Sequence, residues 1–370
     1  MKKFAWFFTL ILISTLVLSA CGAPAATKAP ATPAPTQAPA TQAPTEAPAA
    51  TEAPTATEAP ASAEPFKVAV VMPSAKNDLA FSQSMYDALL RVQEEMGADK
   101  FQFVYSENMF VVDDAAAAIR DYASQGYNLV IAHGSQYGSS LQEIAPDFPQ
   151  TSFAWGTTVD TFGQPNIFAY EAASQEGGFV NGVMAATLSK SNVIGVVGPI
   201  ETGDAKLYVD GFKAGVLSVK PDAKVNVNYI GSFSDTALAA EAANTHISAG
   251  ADVLTGSAQM VVGAIGKAKE NNVLWFGTQS NQASLAPSIV VASQVYHWEG
   301  ILKEMIASIQ SGTLGGKSFK ADLANGGEVI EFNPDSTVAA DAKALAETTI
   351  AGIKDKSITI TLPYLIVDDI

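Results

Sequence analysis

The chain has 370 residues, 48% hydrophobic and 16% charged, a composition that supports a sizeable buried core and about two domains. Its formal net charge is −16, or −18 without the cationic Lys2 and Lys3, which makes a nucleic-acid backbone, whose binding requires a basic face, a poor partner. A single cysteine excludes an intrachain disulfide and a thiolate zinc site, and the three histidines (His133, His246, His297) are too far apart in sequence for an i,i+4 metal pair.

Lys2 and Lys3 precede an apolar stretch from Phe4 to Leu18. It has the form of a signal-peptide core and falls short of the ~20 residues of a membrane span. The sequence Leu18-Ser-Ala-Cys21-Gly22 that follows resembles a bacterial lipobox, which predicts removal of residues 1–20 and a lipid on Cys21. An ordinary secretory leader with a chance cysteine is the alternative. A lipid there would hold the chain at the outer face of a membrane. Residues 21–65 are built from Ala-Pro, Thr-Gln-Ala-Pro and Thr-Glu-Ala-Pro units and hold ten of the 19 prolines. With almost no large apolar side chain, this segment is expected to be a disordered, extended tether reaching up to roughly 100 Å.

From Phe66 the texture changes. Lys67–Met72 is a nearly all-apolar run, the pattern of a strand buried on both faces of a parallel sheet. The pattern then predicts a helix over 81–96, a strand at 101–104 and a helix over 114–124 with Asp113 or Asp114 as its N-cap. A strand at 129–132, a helix at 139–145 and a strand at 152–155 complete the first run. A second run begins near Gln175, with helices over 177–188, 205–219, 237–248, 262–270 and 296–310. Its strands are expected at 193–197, 225–230, 252–254, 274–276 and 289–291, with weak strands at 329–332 and 358–362. Such alternation is the signature of doubly wound α/β domains. Two parallel-sheet α/β lobes joined by a hinge are expected. The N-terminal lobe spans 66–170 and is completed by roughly 277–310. The C-terminal lobe spans 171–276 and is completed by 311–370.

In such sheets ligands bind beyond the carboxyl ends of the strands. The loops there are rich in glycine, serine, amides and aromatic rings, which suit a flat polar molecule. Asn108, Ser135, Trp155, Gln259 and Gln279 are candidates for edge hydrogen bonds or cleft walls. Trp155 serves equally as core packing. Phe81 opens a helix, either as a hydrophobic staple or as a ring projecting into a cleft. Asp235 reads first as a helix N-cap and second as a ligand contact. Enzyme signatures are missing: no G-x-G-x-x-G opens a helix after a strand, Gly316-Lys317-Ser318 has Ser311 where a phosphate loop needs glycine, and Ser135 sits one residue early for a nucleophile elbow. No cofactor and no metal is expected.

Several segments carry a resemblance by their joint order and spacing. They are Asp78-Leu-Ala-Phe-Ser-Gln83, Tyr105-Ser-Glu-Asn108, Gly177-Gly-Phe-Val-Asn-Gly182, Gly211-Phe-Lys-Ala-Gly215, Gly231-Ser-Phe-Ser-Asp235 and Gly250-Ala-Asp-Val253. From Phe66 to about Gln310 the chain resembles the BMP (basic membrane protein) family of ABC-transporter substrate-binding lipoproteins, whose better-known members bind purine nucleosides. The resemblance implies a type I periplasmic-binding-protein fold in which Phe81 and Phe233 stack on the ligand from opposite lobes. Ser82 stands where an asparagine is common beside the first ring. Gln279 and Tyr296 stand where the nucleoside binders carry an aspartate and a lysine that hold the ribose, which favours a smaller flat ligand such as a purine base. The implied partners are an ABC permease and its ATPase, with a monomeric receptor lipid-anchored on the extracytoplasmic face. A sensor lipoprotein, a sugar receptor and a secreted enzyme of the same fold class are the rival readings.

Overall fold

The computed structural model describes residues 64–336 and 340–362. The expected leader, Cys21 and nearly all of the tether lie outside the described residues. The body consists of two six-stranded sheets flanked by helices, the two lobes forming one compact unit. In the first lobe, β1 (Phe66–Val71), β2 (Phe101–Ser106), β3 (Leu129–His133), β4 (Ser152–Gly156), β5 (Ile167–Ala172) and β11 (Ser318–Ala321) lie in the order β11-β5-β4-β3-β1-β2, all parallel. In the second, β6 (Val193–Gly198), β7 (Lys224–Tyr229), β8 (Val253–Gly256), β9 (Leu274–Gly277), β10 (Val290–Tyr296) and β12 (Glu328–Phe332) lie in the order β12-β10-β9-β8-β6-β7. Only the edge strand β12 is antiparallel to its neighbour. The expected pair of doubly wound lobes is therefore the observed architecture.

The central strands are apolar throughout because both faces are covered. Val68, Val70 and Met72 point into one core, while Ala69 and Val71 point into another. In the second lobe Ile194 and Val253 join one core, and Val197 and Leu254 the other. Strand alternation distributes these residues. The helices are α1 (Phe81–Met96), α2 (Val112–Ser124) and α3 (Gly138–Ile144) in the first lobe, then α4 (Ser174–Leu188), α5 (Gly203–Val219), α6 (Thr236–Ser248) and α7 (Val261–Glu270) in the second. Helix α8 (Glu299–Gln310) packs on α1 through Ile301, Leu302 and Met305, and α9 (Ala340–Lys354) packs on α4.

Several elements differ from the sequence reading. Asp113 and Asp114 lie in the first turn of α2, one and two residues after its start, where they favour the helix dipole without capping it. Tyr296 ends a strand instead of opening a helix, because the buried run from Val290 continues through it. Residues 358–362 form no strand; Ile360 and Leu362 fill the second core without pairing. Strands β5 and β11 and helix α9 have no counterpart in the expected elements. The 277–310 segment divides between lobes, with β10 in the second sheet and α8 on the first. The 311–362 stretch also divides, with β11 in the first sheet and β12 and α9 in the second lobe. The main chain thus crosses between lobes three times, after β5, after β10 and after β11.

The two glycine motifs meet face to face. An added Cβ at Gly178 or Gly182 on α4 would collide with the α5 backbone at Tyr208 or Phe212, and one at Gly211 or Gly215 with the α4 backbone at Gln175 or Phe179. Each pair is four residues apart and therefore on one face of its helix. Glycine lets the two helices approach backbone to backbone.

At the crossings, the buried Glu328 accepts the Gly177 backbone N–H at 2.9 Å and the Gln294 amide, while its second oxygen has no partner. Burial pushes the Glu328 carboxyl well above the ordinary carboxylate range, and nearby Glu176 adds to that. Folding therefore favours the protonated form. The stability this confers is complete below the unfolded pKa and is lost as pH rises through the higher folded one. Glu328→Gln, which keeps the acceptor and cannot ionise, is expected to melt several degrees above the parent at pH 7.5, with the gap closing near pH 4.5; each kcal/mol shifts a domain of this size by about 2–4 °C. A melting gap independent of pH in calorimetry would contradict this.

Candidate functional site

A narrow cleft of about 30 Å³ lies where the two lobes face each other. Its lining comes from loops after the strands in both sheets: Pro73 and Phe81 after β1, Phe110 after β2, Gly134, Ser135 and Gln136 after β3, and Thr157 after β4. From the second lobe come Asp204 and Ala205 after β6, Phe233 after β7, Ala258 and Gln259 after β8, and Gln279 after β9. In each sheet the strand order reverses beside the first strand, β1 or β6, and that switch opens the crevice.

Phe81 is held by its own loop. The Asp78 carboxylate accepts the backbone N–H groups of Ala80 (2.9 Å), Ser82 (3.2 Å) and Gln83 (3.0 Å) at the start of α1. Ser74 bonds to Asp78 and shares a 2.7 Å hydrogen bond with Ser82. One face of the Phe81 ring stacks on His133, with centroids 3.7 Å apart and planes 6° from parallel. Trp298 meets its edge at 87°. His133 Nε2 lies 3.0 Å from the Phe81 carbonyl, which only accepts, so Nε2 carries the proton and Nδ1 accepts from the Tyr170 hydroxyl at 2.7 Å. Burial holds the imidazole neutral by lowering its pKa to about 3.

Phe233 sits between a serine turn and a helix cap. Ser232 Oγ accepts from the Ser234 and Asp235 N–H groups. Asp235 caps α6 by accepting from Ala237 and Leu238 at 3.0 and 2.9 Å. The Phe233 carbonyl is tied to the Met260 N–H at 2.9 Å.

Asp204, in the first turn of α5, collects donors from three other elements. Tyr296 OH donates at 2.9 Å, Gln279 Nε2 at 3.2 Å and Thr157 Oγ1, from the opposite lobe, at 3.3 Å. Burial raises the Asp204 carboxyl's pKa, and these donors together with the Ala205 N–H oppose the rise. Gln279 takes the left-handed backbone conformation at φ 68° and is 2% exposed. Its Oε1 has no partner. Further bonds tie the lobes at the cleft edge, with Ser280 Oγ donating to the Ala80 carbonyl at 2.8 Å and Gln282 to the Leu79 carbonyl at 3.2 Å.

Of the ten candidate residues, Phe81, Ser135, Phe233, Gln259 and Gln279 border the cleft. The others stand around it. Ser82 is buried in the Asp78 loop, Asn108 is exposed at φ 62°, and Asp235 caps α6. Tyr296 lies behind Asp204, bonded also to Ser174 at 2.6 Å. Trp155 stacks on Phe162 at 4.7 Å, gives its indole N–H to the Gly134 carbonyl and packs over Gly138. Sequence reasoning passed over Asp204, Gln136, Phe110 and the ring of His133. Asp204 reads as ordinary first-turn acid on a helix; the signal for it was its place directly after the glycine-bounded loop 198–203. No basic side chain borders the cleft. Among the described residues no helix is long and apolar enough to cross a membrane, and no group of three metal-ligating side chains occurs.

Comparison with known proteins bears on this architecture. A solute-binding protein of an ABC transporter system from Conexibacter woesei DSM 14684 superimposes with a TM-score of 0.66 at 21% identity, covering 80% of this chain and 98% of its own. In sequence, the purine-binding protein of Brucella abortus (strain 2308) is 27% identical over 291 residues, 79% of this chain and 81% of its own. The ABC transporter nucleoside-binding protein BmpA of Lactococcus lactis subsp. cremoris (strain MG1363) is 26% identical over 307 residues, 77% of this chain and 86% of its own. The profile of the Bmp family, described as ABC transporter substrate-binding protein PnrA-like, matches residues 66–368. With nearly the whole body covered, this chain belongs to the Bmp family of ABC transporter substrate-binding proteins.

Proposed function

We propose that this substrate-binding protein captures a purine base or nucleoside between its lobes and delivers it to an ABC permease, as a monomer anchored through lipid on Cys21 at the extracytoplasmic face. The observation that carries the ligand is the pair of rings Phe81 and Phe233, one from each lobe, bordering a cleft whose other walls combine Phe110, Pro73 and small residues with amides, hydroxyls and one carboxylate. Two aromatic faces stack on any flat heterocycle, and the polar rim fixes its edge. The names of the Brucella and Lactococcus relatives point the same way. Closure would draw the rings onto the ligand, and the ligand shifts the open–closed equilibrium by its differential affinity for the closed form. Gln279 and Tyr296 are neutral, which favours a base over a nucleoside. The leader and its cysteine support the anchor.

A thermal-shift screen of the purified full chain against purine bases, nucleosides, pyrimidines and sugars tests the ligand class. A true ligand at 100 times its dissociation constant adds about 2.7 kcal/mol of stability. Stabilisation by purines alone is the expected result; stabilisation by sugars alone, or by nothing flat, would discard the purine reading and leave the family intact.

A further inference from the structure

His297 follows β10 at the second crossing and stands between the lobes. Its backbone N–H donates to the Gly327 carbonyl at 2.8 Å, which ties the second crossing to the third just before β12. Its ring lies between two carboxylates. Nδ1 is 3.8 Å from Glu299 Oε1 on α8, which packs on the first lobe, and Nε2 is 3.8 Å from Glu331 Oε1 on β12 of the second sheet. Each carboxylate is held from behind: Arg91 on α1 bonds to Glu299, and the Asn281 amide donates to Glu331 at 2.7 Å. The ring is 34% exposed and borders a solvent-filled groove of about 370 Å³, so protons reach it freely. Glu304 and Glu95, the latter paired with Lys303 at 2.8 Å, add charge to the groove, while its turn Asn325-Gly326-Gly327 brings none.

A neutral imidazole has one N–H, so one of the two carboxylates must face a ring lone pair. An imidazolium has two, one for each carboxylate, and a charge opposite to both. Histidine is the side chain that makes this change between pH 5 and 8, a range in which ordinary glutamates stay ionised. The lobes around it are closed on each other, with Ser280 and Gln282 reaching across the cleft edge to Ala80 and Leu79. We propose that His297 is a proton-operated clasp at the hinge, drawing Glu299 and Glu331 together as pH falls from 8 to 6 and favouring the closed arrangement of the lobes. The bias is present on the acid side and is lost as pH rises. Charge pairs this exposed are weak, so the clasp tilts the open–closed equilibrium without locking it.

Hydrogen–deuterium exchange of the full chain without ligand, read by mass spectrometry, tests the clasp. Opening frees the loops 73–80 and 278–286, which meet across the cleft edge, and leaves the cores of both lobes intact. His297→Gln keeps a polar side chain that takes up no proton. At pH 6 its two loops should exchange about two- to fivefold faster than those of the parent, and at pH 8 at the same rate. Glu331→Gln should do the same. Comparison at matched pH cancels the intrinsic chemistry of exchange and the contribution of Glu328, which parent and variants share. A ratio equal at pH 6 and pH 8, or a rise spread evenly through α4 and α5, marks a merely structural side chain and overturns the proposal. So does a Glu331→Gln variant that tracks the parent at both pH values, whether or not His297→Gln folds.

Discussion

Gly182→Ala and Gly215→Ala are each expected to lose on the order of 2–4 kcal/mol of stability, although alanine is the better helix former. At both positions the new methyl would strike backbone: Phe212 O and Val216 N from Gly182, Phe179 O from Gly215. Backbone in a regular helix has no rotamer with which to yield, so the helices must separate. Separation would open the apolar seam in which Val183, Met184, Phe212 and Val216 are buried. A loss of that size is a large share of a typical 5–15 kcal/mol total. The control is the same chemical change at Gly266, a solvent-facing helical position with nothing within 4 Å of an added Cβ. There alanine should gain up to about 1 kcal/mol. Urea unfolding of the three variants reads the result, and equal stabilities for Gly182→Ala and Gly266→Ala would dismiss the backbone-contact account.

Phe233→Ala is expected to weaken ligand binding about 5- to 150-fold, since stacking of a base on an aromatic ring is worth roughly 1–3 kcal/mol. Phe233 is half-buried on a loop whose turn and cap are made by other residues, so its loss should leave folding nearly intact. Phe81→Ala should weaken binding at least as much. Its ring also belongs to the first core and covers His133, so that variant will melt lower. Affinity measured by titration well below both melting temperatures separates the two effects. If both variants bind within about a factor of two of the parent, the two-ring sandwich is wrong.

The architecture was legible because both-face burial writes itself into sequence as apolar runs such as 67–72, and the runs recur at the spacing of β-α units. What escaped has physical causes. Strand β11 is a four-residue edge strand without a buried apolar run, and its pairing with β5 is fixed by partners about 150 residues away. Helix α9 packs against α4, a contact that no local pattern announces. Within the site, the glycine- and serine-rich loops were correctly marked as lying beyond strand ends. Which side chain faces the cleft was not readable: Trp155 lies at the end of β4 and Thr157 just after it, yet only Thr157 borders the cleft. Asp204 acquires its setting from Thr157, Gln279 and Tyr296, brought from separate parts of the chain. A carboxylate in a helix's first turn looks the same in sequence whether it faces water or a ligand.

The triple crossing of the main chain has a consequence for biosynthesis. The first sheet is not complete until β11 at 318–321 has left the ribosome, and the second needs β12 and α9 beyond it. Large proteins commonly fold domain by domain from the N-terminus during synthesis. Here neither lobe is a contiguous stretch of chain, so that order is closed to it. A chain truncated anywhere before residue 318 would leave both lobes unfinished.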